Sequence, residues 1–130
     1  MKKIYLLVLL GLLIFSLTRI SFASPPYIEH AMAYFPDGEI LITECQSKAE
    51  TAFSKLNITV KKTTNPENEV VGFTGNYKVV LYCIEVEAGC EMPEKPYAGA
   101  ARVIVAGPKY TKVKRLGLDV LKKMEMNIEE

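Results

Sequence analysis

Asn76–Glu87 reads NYKVVLYCIEVE, and its alternation decides the architecture. Tyr77, Val79, Leu81 and Cys83 fall on one side of an extended chain, because successive side chains of a strand point to opposite faces. Lys78, Val80, Tyr82 and Ile84 fall on the other. Both sets are largely apolar, which marks a central strand rather than an edge. Upstream, Glu69–Thr74 reads as a second strand, and Thr74-Gly75-Asn76 as the tight turn that makes the two a hairpin. Ile58–Lys62 is a short strand before them, separated by the turn at Asn65-Pro66. Downstream, Ala88–Ala98 is a loop containing Gly89, Pro93 and Pro96, and Ala100–Ala106 is a further β run that Gly107-Pro108 ends.

Two helical patterns and a leading strand complete the chain. Ile42, Cys45, Ala49, Ala52, Phe53 and Leu56 recur at three- and four-residue spacing, which predicts a helix that is firm from Glu44 to Leu56 and closed by Asn57. Its start has two readings. Asp37 caps a helix beginning at Gly38, or Thr43 caps it with Gln46 in a capping box, leaving Glu39–Ile42 as a strand paired back through Pro36-Asp37-Gly38. Tyr27–Phe35 is the first strand, with Ile28, Ala31, Ala33, Tyr34 and Phe35 available for burial. A terminal helix runs from about Lys109 to Met126. Its apolar stripe is Val113, Leu116, Val120, Leu121 and Met124, and Lys109, Lys112, Lys114, Arg115, Lys122 and Lys123 make its polar face basic. The arrangement that buries both stripes is one α+β domain: an antiparallel sheet of about four strands with two helices on one face.

The first 23 residues carry the pattern of an export signal. Met1-Lys2-Lys3 is cationic, Ile4–Leu17 is apolar apart from Gly11 and Ser16, and Ser21-Phe22-Ala23 sets small residues at a cleavage site before Ser24. The apolar run of 14 residues is short of the roughly 20 that span a bilayer. Residues 24–130 are thus the expected exported domain, periplasmic or secreted, with no transmembrane segment after cleavage. Lys2, Lys3 and Arg19 lie in the signal, so the domain holds 13 basic and 15 acidic residues, a net charge of −2. That balance argues against nucleic acid as a partner, since such binding needs a basic surface to displace counterions. A hydrophobic fraction of 49% and a charged fraction of 24% also exclude a disordered or low-complexity chain.

All three cysteines, Cys45, Cys83 and Cys90, lie in the exported part. A helix packed on the Tyr77-Val79-Leu81 face brings Cys45 and Cys83 into one layer, so a helix-to-strand disulfide is the first expectation. A local Cys83–Cys90 bridge and two unbridged buried thiols are the alternatives. Cys90 is left as a candidate free thiol in an acidic loop, where Glu85, Glu87, Glu91 and Glu94 disfavour its thiolate. No CxxC redox motif occurs.

His30, the single histidine, lies on the first strand with Met32 on the same side. No nucleophile motif accompanies it, and two alternate residues without a third ligand do not define a metal site. No catalytic residue, metal or cofactor is therefore expected, and an enzyme is the less favoured class. Gly72, Gly75 and Gly107 do not form a phosphate-binding pattern.

The helix cysteine Cys45, the strand pattern Tyr77-x-Val79 leading to Cys83, and Val105-Ala106-Gly107-Pro108 before the terminal helix resemble small exported bacterial proteins of uncharacterised function. The resemblance implies a compact periplasmic α+β domain with a helix-to-strand disulfide and no catalytic residues. The functional expectation is a binding or interaction module with a protein partner. An inhibitor of a cationic secreted enzyme such as a lysozyme, acting through Glu85, Glu87, Glu91 and Glu94, is the alternative. A redox or metal-related role for Cys90 or His30 is the third reading. The apolar set Val80, Tyr82 and Ile84 leaves open a homodimer built across the second face of the sheet.

Overall fold

The computed structural model describes residues 26–61, 68–86 and 97–128. Residues 1–23, where the sequence leads one to expect an export signal, lie outside this set, as do Cys90 and the glutamates 87, 91 and 94. The elements run β1 (Tyr27–Tyr34), β2 (Ile40–Leu41), α1 (Ile42–Lys55), β3 (Thr59–Lys61), β4 (Glu69–Thr74), β5 (Tyr77–Glu85), β6 (Tyr97–Gly107) and α2 (Tyr110–Lys123). The strands form one antiparallel sheet in the order β1-β6-β5-β4-β3, with β2 also on β6. The class is α+β, as the periodicity implies, but the sheet has six strands where the sequence predicts about four, and two of the six are only two and three residues long.

The central strand behaves as its sequence dictates. Val79, Leu81 and Cys83 are fully buried beside Val103 and Val105 of β6. Over them α1 lays Cys45, Ala49, Ala52 and Phe53, and α2 lays Val113, Val120 and Leu121. The helices divide the same face of the sheet, α1 over β3 to β5 and α2 over β1 and β6. Two glycines set how closely the layers approach. A Cβ on Gly72 would run into Ile58 and Phe53, and one on Gly107 into the Tyr77 ring. The Lys112 ammonium lies over the Tyr77 ring, 4.6 Å from its centroid, which ties the start of α2 to β5 through a cation–π contact.

Cys45 and Cys83 form the disulfide, with a Cα–Cα distance of 6.1 Å and a sequence separation of 38 residues. A cross-link closing a loop of that length removes roughly 4 kcal/mol of chain entropy from the unfolded state. The pairing takes Cys83 away from Cys90 and leaves neither helix nor strand thiol free.

Three details depart from the sequence reading. Neither Asp37 nor Thr43 caps α1. The helix starts at Ile42 with Leu41 as its N-cap and no side-chain cap, because pairing of Ile40 and Leu41 with Ala98 and Tyr97 holds the chain extended up to that point. The segment before the helix does not fold back on β1 through Pro36-Asp37-Gly38. Instead Tyr34 pairs with Ala100, the Phe35 N–H donates to Gly99 O at 3.2 Å, and Ile40 resumes opposite Ala98. The turn is an excursion from a single strand line, closed by the Gly38 N–H donating to Phe35 O at 3.2 Å. Finally, Ile28 and Tyr34 are not core residues: they are 66% and 50% exposed. Ala31 and Ala33 share the helix-covered side instead, since their small side chains let α2 approach. A Cβ on Gly117 of α2 would sit 3.8 Å from that of Ala31.

Candidate functional site

Both helices take one face, so the pleat delivers every second residue of five strands to the other. Antiparallel register aligns those residues in rows. The central row runs His30, Ile104, Val80, Val71, Lys61 from β1 to β3. On one side lies the row Ile28, Ala106, Lys78, Phe73, Thr59, and on the other Met32, Arg102, Tyr82, Glu69. Tyr34, Ala100 and Ile84 make a shorter fourth row. At strand spacings near 4.8 Å the five strands span roughly 19 Å.

The floor of this face is apolar. Val71 and Ala100 are 5% exposed, and Val80, Ile104, Tyr82 and Ile84 are half-buried. Ile28, Tyr34, Phe73 and Met32 stand at its margins and account for half of the large hydrophobic residues that the described surface exposes. Lys61, Lys78 and Arg102 are exposed on the same face, where Glu69 is the one carboxylate among the described residues. Among the described residues the ion pair is Arg115–Asp119 on α2, at 3.6 Å, so none of these three cations is neutralised there. Among the described residues the face thus combines apolar area with positive charge that no ion pair offsets.

The residues singled out in the sequence distribute as follows. Cys45 and Cys83 are structural and lie beneath the opposite face. His30 is exposed at the β1 end of the central row, with Met32 beside it on the same face and Arg102 across from Met32. Among the described residues no group of three histidine, cysteine, aspartate or glutamate side chains is placed to hold a metal. Glu85 is exposed at the end of β5. Its companions Glu87, Glu91 and Glu94, with Cys90, fall outside the described residues, so the acidic loop contributes only Glu85 to the geometry. No described helix is long and apolar enough to cross a membrane.

Sequence reasoning found Val80, Tyr82 and Ile84 but missed their partners Ile28, Met32, Tyr34, Phe73, Ile104 and Arg102. The signal was present as the alternation Ile28, His30, Met32, Tyr34 in β1. What was lacking was the parity, since Ala31 and Ala33 offer an equally apolar side.

The chain matches no family model, and no curated protein or solved structure resembles it significantly.

Proposed function

We propose that this chain is an exported binding module, not an enzyme, and that it engages a partner protein through the helix-free face of its sheet. The observation that carries the proposal is the central row Ile104, Val80, Val71, with Lys61, Lys78 and Arg102 around it and without ion-pair partners among the described residues. That chemistry fits a partner surface with an apolar centre and an acidic rim, because burial drives the contact and complementary charge orients it. Export is supported by the signal-like pattern of residues 1–23 and by a disulfide, the kind of bond that persists in oxidising compartments.

The test is site-specific photo-crosslinking in cells that make the protein. A benzophenone amino acid replacing Tyr82 should give a discrete adduct, and the same group replacing Lys122 on α2 should not. Adding Lys78→Glu and Arg102→Glu to the Tyr82 probe should abolish the adduct by reversing the charge of the rim. Equal adducts from both positions, or an adduct indifferent to charge reversal, would remove this face from consideration.

A further inference from the structure

The outer edge of β1 has a self-complementary register. Tyr34 exchanges both main-chain groups with Asn127: Asn127 N–H donates to Tyr34 O at 3.0 Å, and Tyr34 N–H to Asn127 O at 3.4 Å. The peptide groups of Tyr34 therefore point away from β6. Phe35 confirms the phase, since its N–H points the other way, to Gly99 on β6. Main-chain groups alternate in direction along an antiparallel strand, so those of Ile28, His30 and Met32 also point outward. Among the described residues no strand pairs with them, for β1 ends the sheet. The edge is also accessible. A cleft of about 80 Å³ lies beside it, with Glu29, His30 and Ala31 on the strand side and Lys114, Gly117 and Leu118 of α2 on the other.

We infer that this edge pairs with the β1 edge of a second copy of the chain, antiparallel, about a two-fold axis through His30. In that register His30 faces His30 of the second copy, and Ile28 faces its Met32 at both ends. All three residues exchange both main-chain bonds, six in total, which is the hydrogen-bonded pair type of an antiparallel ladder. The neighbouring registers are poorer. A shift toward Tyr34 requires groups that Asn127 already holds, and a shift toward the N-terminus sets Met32 against Pro26, which has no N–H to give.

The side chains agree with the main chain. Ile28 and Met32, 66% and 38% exposed in the single chain, gain each other as cross-strand neighbours. On the helix side, Glu29 of the second copy enters beneath the exposed Lys114, an opposite charge. An open strand of this length is otherwise a template for uncontrolled pairing, and closed two-fold pairing consumes it. The helix-free faces of the two copies then join into one continuous surface. The pairing stands independently of what that surface binds.

The experiment is sedimentation velocity over a concentration series. It uses protein recovered after expression of the full chain, oxidised, with Cys90→Ser to remove any intermolecular disulfide. The expected result is a reversible shift to twice the monomer mass. His30→Pro should abolish it while leaving the circular dichroism of the monomer unchanged, because the lost N–H faces solvent on an edge strand. The register has its own test. Ile28→Lys with Met32→Lys should also abolish the dimer, whereas Ile28→Lys with Met32→Glu should restore it by facing unlike charges. A monomer at every concentration would overturn the inference. So would a dimer that survives His30→Pro but is lost in Val80→Lys, since that places the contact on the sheet face, and so would equal behaviour of the two charged double variants.

Discussion

The two faces of β5 are built from nearly the same kinds of residue and have opposite fates. Val79, Leu81 and Cys83 are sealed under two helices, while Val80, Tyr82 and Ile84, one residue along in each case, lie in a plane that no described element covers. Apolar character alone therefore does not identify the core of a small sheet domain. On the edge strand β1 the two faces differ in side-chain size. Ala31 and Ala33 are small enough for α2 to settle on one side, whereas Ile28, Met32 and Tyr34 stand up from the other. The covered face is a closed core, and the other carries half-buried apolar residues that no described helix overlies.

The largest effect that would probe this contrast is loss of the staple beneath the covered face. Cys45→Ala with Cys83→Ala should lower the unfolding free energy by about 4 kcal/mol, measured by urea titration of the oxidised protein. Next comes a paired comparison on β5. Leu81→Ala should cost about 3 kcal/mol through a cavity in a fully buried site, and Tyr82→Ala on the opposite face should cost about 1 kcal/mol or less. Equal costs would mean that the helix-free face is covered in solution. Smaller again is Gly107→Ala, whose added methyl meets the Tyr77 ring. We expect a loss of about 1–2 kcal/mol, read as a drop of several degrees in thermal midpoint.

The face opposite the helices was half legible in the sequence, and the reason is physical. The run Tyr77–Ile84 alternates between two apolar sets, so it announced a central strand with both faces in use. The stripe of α1 and the face of Cys83 likewise brought the two cysteines into one layer. β1 carried less information, because alanines on one parity and larger apolar residues on the other both satisfy a binary pattern, and only the helix above decides between them. The start of α1 misled for a related reason. Thr43 and Gln46 have local capping chemistry, but pairing of Ile40 and Leu41 with β6 is a long-range interaction that fixes where the helix begins, and tertiary context overrides local preference. Pro36-Asp37-Gly38 signalled a turn correctly and its topology wrongly, since a turn sequence does not reveal whether the chain returns to the same strand or continues beyond it.

The most direct measurement is the unfolding free energy of Val80→Ser with Ile104→Ser, taken together with crosslinking from position 82. If the helix-free face exists to receive a partner, the double variant stays within about 2 kcal/mol of the parent, because half-buried groups lose little on becoming polar, and the adduct disappears. A much larger loss of stability with the adduct intact would show that these residues belong to the domain's own core, and would contradict the assignment of this face to binding.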